Sequence, residues 1–164
     1  NEYLKLLKFI NGNNFDKYKS VVLNNLVWTY MLNNDYEKAL ERIDDLVNLG
    51  DDFEYLAYHK SLCLYYLGQL DAALTALNSV NEVSDRILLG KCKVLKILIN
   101  GNEDEKLEKE LLKQYKLIRS KSDPQTQMYY INELINFYTK NHKYKQLSKF
   151  QDIKIKLLEN DSFF

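Results

Sequence analysis

Apolar residues recur three and four positions apart along almost the whole chain, as in Leu23, Val27 and Tyr30 or Leu70, Leu74 and Leu77. That is the period of one helix face, and no stretch alternates with the period of two that a half-buried strand needs. The pattern predicts an all-α chain. Asn11-Gly12, Asn33-Asn34, Gly50, Gly68, Asn100-Gly101, Asp123-Pro124 and Asn141 each fall between periodic stretches, so about nine helices are expected. Some of these boundaries carry capping chemistry. Gly50 can close a helix in the left-handed conformation, and Asp51 with Glu54 forms an Asp-x-x-Glu capping box. Asp123-Pro124 reads as an N-cap followed by proline at the first helical position.

A longer period lies over the helical one. Ala39 in "NNDYEKALERIDDL" and Ala73 in "YLGQLDAALTALNSV" occupy equivalent places in two such stretches. Leu40 and Leu74, Ile43 and Leu77, Leu46 and Val80, and Tyr30 and Leu64 repeat the same spacing. A helical hairpin cannot bury its apolar face alone, and stacking near-equivalent hairpins solves that problem. A small residue at the repeated position lets two helices approach closely. Leu107 lies one further period beyond Ala73, with leucine in place of alanine, and Leu147 follows after a longer interval, which places an insertion of about six residues near "RSKSDP".

Composition narrows the function classes. The 164 residues are 46% hydrophobic and 28% charged, with one proline and five glycines, which is globular and helix-permissive. Twenty-three basic residues balance twenty-three acidic ones, leaving no net field to attract nucleic acid, an anionic membrane surface or an acidic substrate. Arg42, Arg86 and Arg119 are the only arginines, so direct contact with nucleic acid is not expected of this segment. Two cysteines, Cys63 and Cys92, are too few for a disulfide scaffold and point to a reducing, cytoplasmic setting. No apolar run approaches the roughly 18 residues of a membrane span. The chain opens at Asn1 without an initiator methionine, and a fragment of a longer chain is expected.

The stretches "VLNNLVWTYMLNNDYEKALERIDDLV" and "LAYHKSLCLYYLGQLDAALTALNSV" resemble the tetratricopeptide repeat (TPR) family, whose unit has the same length as the period just described. The likeness is clearest over residues 20–82, and "KCKVLKILINGNEDEKLEKELLKQY" and "INELINFYTKNHKYKQLSKF" are less regular versions of the unit. The family's first-helix Trp and Gly and its closing Pro are absent. The resemblance implies a right-handed α-α superhelix, a solenoid of helical hairpins forming a single domain over 1–164. Its parts would be a lone second helix over 1–12, repeats over 14–48 and 51–82, and degenerate repeats over 83–120 and 123–160. The partner of the lone helix would precede Asn1.

In such arrays a free stripe of each first helix lines a concave groove. The resemblance implies Val21, Asn24, Trp28 and Met31 from one hairpin, then Tyr55, Tyr58, Leu62 and Tyr65. Leu89, Cys92, Lys96 and Ile99 would follow, and then Tyr129, Asn132, Asn136 and Thr139. Rigid aromatic rings are efficient anchors, and an asparagine pair one turn apart offers donors and acceptors to a peptide backbone. The function expected is non-catalytic binding of an extended peptide or protein segment, in which Tyr58 and Asn136 contribute to binding and are dispensable for folding. The irregular repeats and groove asparagines are also similar in style to the peptide-sensing TPR domains of some Gram-positive regulators. The competing expectation is an architectural segment of a larger assembly, with terminal helices able to form a homodimer and "DSFF" as a sticky end. A carboxylate-gripping clamp would find only Lys93 with the right charge among Asn24, Trp28, His59 and Lys93.

Enzymatic and metal chemistry find little to build on. His59 and Cys63 are four apart on one face, with Cys92 a third candidate ligand, but no fourth has suitable spacing. Cys63 is expected to pack and His59 to be partly exposed. Asp44-Asp45 and Asp51-Asp52 are neighbours in sequence, and adjacent residues on a helix point apart. With no glycine-rich phosphate loop and no nucleophile motif, neither a cofactor nor a metal is expected.

Overall fold

The computed structural model describes residues 2–12, 18–50, 54–80, 85–101, 104–120 and 124–161. Among them every regular element is helical. The order is α1 (Glu2–Gly12), α2 (Lys19–Leu32), α3 (Tyr36–Asn48), α4 (Glu54–Tyr66), α5 (Leu70–Asn78), α6 (Arg86–Asn100), α7 (Asp104–Ile118), α8 (Pro124–Lys140) and α9 (Tyr144–Asp161). The chain divides into two compact units, Asn1–Ser84 with α1 to α5 and Asp85–Phe164 with α6 to α9.

In unit 1, α2 pairs with α3 and α4 with α5, and both pairs are joined by the same short turn. Asn34 and Gly68 take its left-handed position, with φ of 58° and 75°. The next N–H turns back onto the preceding helix, Asp35 donating to the Tyr30 carbonyl and Gln69 to the Leu64 carbonyl, each at 2.9 Å. The second helix then begins with Ala39 N–H donating to Asp35 O at 3.1 Å and Ala73 N–H to Gln69 O at 2.9 Å. Every residue of one set lies one full period from its counterpart. The carbonyls that a helix end leaves without intrahelical partners are thus satisfied inside the turn.

Above the turn, the repeated alanines are fully buried together with Ile43, Leu46, Leu23 and Val27. Where α4 meets α5, Ser61 occupies the place that Val27 holds in the first hairpin, and its buried hydroxyl donates to the Ala73 carbonyl at 2.8 Å. Hairpin meets hairpin across α3 and α4, where the Tyr36 and Tyr66 rings stack at 4.7 Å and Lys60 Nζ pairs with Asp44 Oδ1 at 2.9 Å. The exposed pair contributes little next to the apolar burial. Gly50, at the end of α3, has φ of 77°, as its expected closing role requires. Its expected partner motif, Asp51 with Glu54, has Asp51 outside the described residues, and so does Asp123 of the Asp123-Pro124 cap.

Among the described residues of unit 2 the turn occurs once. His142 has φ of 53°, Lys143 N–H donates to Tyr138 O at 3.0 Å and Leu147 N–H to Lys143 O at 3.0 Å. His142 therefore matches Gly68, and Leu147 matches Ala73, after two periods and the short insertion. The α6 helix instead begins on a side-chain cap, Asp85 Oδ1 accepting from Ile87 N at 2.7 Å. Its end differs too, for Gly101 has φ 67° and ψ 162°. The core joins Val94, Leu111, Tyr130, Ile131, Leu134 and Phe150. Gly90 of α6 is buried where a Cβ would lie 2.6 Å from the Tyr130 hydroxyl and 2.7 Å from Gln114 Oε1. The small residue of this unit thus sits on a first helix, while Leu107 and Leu147 occupy the alanine positions.

Two measurements check these contacts. His142→Gly is expected to raise unfolding stability by about 1 kcal/mol in a urea titration, because glycine carries no left-handed penalty. A loss of stability would show that the ring matters more than the backbone. Gly90→Ala is expected to lower it by about 1–3 kcal/mol through overpacking, and a neutral result would mean that Tyr130 and Gln114 retreat without cost.

Candidate functional site

The predicted groove residues of unit 1 lie on the first helices α2 and α4, and the structure gathers three of them around a residue outside the predicted set. The His59 ring lies 4.7 Å from Trp28, edge to face at 75°, 5.7 Å from Tyr58 and 5.9 Å from Tyr55. Edge-to-face and tilted contacts at these separations suit the ring quadrupoles. His59 is buried, which corrects the expected partial exposure: rings from two helices close over it.

Trp28 remains 42% exposed, so one face of this cluster offers an aromatic surface to solvent. Asn24, Tyr55 and Leu62 are partly buried beside it on the same two helices. Tyr65, also partly buried, joins a second aromatic group with Tyr66 at 5.3 Å. Tyr58 is only 3% exposed. The expectation that it can be removed without affecting the fold does not survive that burial, because its ring fills the interior beneath His59.

The unit 2 candidates are Lys96 on α6 and Tyr129, Asn132 and Asn136 on α8. Lys96 and Asn136 are exposed. The Tyr129 ring is partly buried and carries the Lys91 ammonium 5.0 Å from its centroid, a cation–π contact between α6 and α8. Asn132 Oδ1 accepts from Lys154 Nζ of α9 at 2.8 Å. The two asparagines therefore differ, since the Asn132 oxygen is engaged from within the unit while Asn136 faces solvent. Ile99, expected in the groove, is buried.

Burial displaces several titratable groups from their ordinary range. Burial pushes the Cys63 thiol up to about 12 and the Cys92 thiol up to about 11, so the nucleophilic thiolate is scarce at neutral pH. Burial raises the Glu133 carboxyl above its ordinary range. Burial and the neighbouring Glu108 carboxylate hold the Tyr138 phenol in its neutral form, and Glu108 also pairs with Lys143. That network ties α7 to the turn before α9. Among the described residues no three His, Cys, Asp or Glu side chains are grouped as a metal site, and no helix is long and apolar enough to cross a membrane.

No protein-family model, curated protein or solved structure matches the chain. Sequence reasoning missed His59 as the hub, although its spacing from Tyr55, Leu62 and Cys63 puts it on the same side of α4, because histidine pattern alone does not distinguish a buried ring from an exposed one.

Trp28→Ala is expected to cost at most about 1 kcal/mol of stability, because much of the ring is already in water, whereas Tyr58→Ala is expected to cost about 3 kcal/mol as a large-to-small core change. Urea unfolding followed by far-ultraviolet circular dichroism checks the order. Equal losses would mean that the aromatic cluster is one structural element with no solvent-facing part.

Proposed function

We propose that this chain is a tetratricopeptide-type repeat, wound as a right-handed α-α superhelix, that binds an extended peptide or protein segment without catalysing a reaction. The observation that carries the reading is the aromatic surface on α2 and α4, where a half-exposed Trp28 is braced edge-on by buried His59. A ring held in place loses little freedom on contact, and indole combines apolar area with one donor, so such rings make efficient anchors. The recurrence of the turn and of the buried alanines at one common period supports the repeat part of the reading. In it Trp28 and Tyr55 supply apolar contact, Leu62 widens it, and Asn24 answers the ligand backbone. A regulator that senses a short peptide would use the same surface, as would a scaffold gripping a tail.

Trp28 is the only tryptophan, so its emission reports directly on the site. Linear peptides selected by display on the immobilised chain are expected to share apolar or aromatic anchors and to shift Trp28 emission. They should lose at least about tenfold in affinity with Tyr55→Ala or Asn24→Ala. Selected peptides that leave the emission unchanged, or bind both variants as well as the parent, would overturn the proposal.

A further inference from the structure

Two of the five glycines follow an asparagine, in Asn11-Gly12 and Asn100-Gly101. That pairing has a chemistry of its own. The backbone nitrogen after an asparagine can attack the side-chain amide, and glycine, with no Cβ, is the successor that hinders the attack least. Every other asparagine of the chain is followed by a residue with a side chain.

The fold sets Asn100 apart from Asn11. Asn100 is the last residue of α6 and is exposed, and the final turn of a helix opens at little cost in free energy. Gly101 lies outside the helix with φ 67° and ψ 162°, a backbone region that glycine alone occupies readily. The close of α6 therefore requires the very residue that leaves Asn100 open to attack. A Cβ built on Gly101 would meet no atom of the described residues within 4 Å, so there is room beside the reacting atoms. Gly12, by contrast, belongs to α1 itself, and the Asn11-Gly12 peptide is held in helical geometry.

We propose that Asn100 is a site of spontaneous deamidation and that its products loosen unit 2. The Gly101 nitrogen gives up its proton and bonds to Asn100 Cγ as the Cγ–Nδ2 bond breaks, and the amide nitrogen leaves with that proton as ammonia. Water then opens the cyclic imide at either of its two carbonyl carbons, its hydrogen returning to the Gly101 nitrogen. Opening at Cγ leaves aspartate, whereas opening at the main-chain carbonyl leaves isoaspartate, in which the backbone runs through Cβ and Cγ. Either product puts a carboxylate at the C-terminal end of α6, where the helix macrodipole disfavours negative charge. Isoaspartate also lengthens the link to α7, whose first turn already carries Asp104 and Glu105. The α6 helix supplies Val94 to the core of unit 2 and Gly90 to the contact with Tyr130 and Gln114, so a weakened end of α6 acts on that packing.

The test ages the full chain in mildly alkaline buffer, folded and in urea, and maps its peptides by mass spectrometry with fragmentation that distinguishes isoaspartate. In the folded chain the peptide carrying Asn100 is expected to exchange amide for acid ahead of every other asparagine, Asn11 included. The aged parent is expected to unfold at a lower urea concentration than the fresh one, and Asn100→Gln to age without that shift. Asn100→Ser replaces Asn100→Gln should circular dichroism show that the latter fails to fold. An Asn100 amide that survives in the folded chain overturns the proposal, whether or not it converts in urea, and so does Asn11 converting first. An aged parent that unfolds at the same urea concentration as aged Asn100→Gln overturns the loosening of unit 2.

Discussion

How closely two helices can approach governs the packing of both units, and in each a small residue sits at the close contact. In unit 1 that residue is an alanine on the second helix of each hairpin. Ala39 and Ala73 are buried completely, and the Ser61 hydroxyl reaches the Ala73 carbonyl only because so little side chain stands between α4 and α5. In unit 2 the alanine positions hold Leu107 and Leu147, and the close contact lies instead at Gly90, against Tyr130 and Gln114. Protein interiors pack to near-crystalline density, so a larger residue at one contact requires a smaller one elsewhere.

The turn is the second half of the same constraint. A left-handed residue followed by a reversed N–H sets the angle at which the second helix leaves the first, and Asn34, Gly68 and His142 achieve it with three different side chains. Backbone geometry has been kept while residue identity has varied. Asparagine tolerates the left-handed region, and the Asn34 side chain also accepts from the Tyr36 hydroxyl at 2.9 Å. Histidine at 142 meets a tyrosine in the same way, its Nδ1 lying 3.3 Å from the Tyr144 hydroxyl.

Exposed apolar surface follows from how the helices stack. The aromatic cluster around His59 exists because α2 and α4 bring their first-helix faces together, and its Trp28 ring stays partly exposed. Among the described residues α1 packs on α2, whereas α3 packs on both α2 and α4.

Much of this was legible in the chain. Apolar period marked out the helices, and the spacing of Ala39, Ala73, Leu107 and Leu147 located the hairpins and the short insertion, because local propensity and turn chemistry are properties of short stretches. Trp28 and Tyr55 could be placed on successive first helices from the repeat alone. Burial could not, since it depends on what arrives from another helix: Tyr58 and His59 share a helix face with exposed residues, and only the packing of α2 on α4 encloses them. Asn132 and Asn136 look identical in sequence, yet Lys154 reaches one from α9 while the other faces solvent. Gly90 read as one more small residue in a helix, and only the position of the Tyr130 hydroxyl shows why a larger one does not fit. Helix and register are written in neighbouring residues, whereas exposure and hydrogen-bond partners are decided by residues distant in the chain.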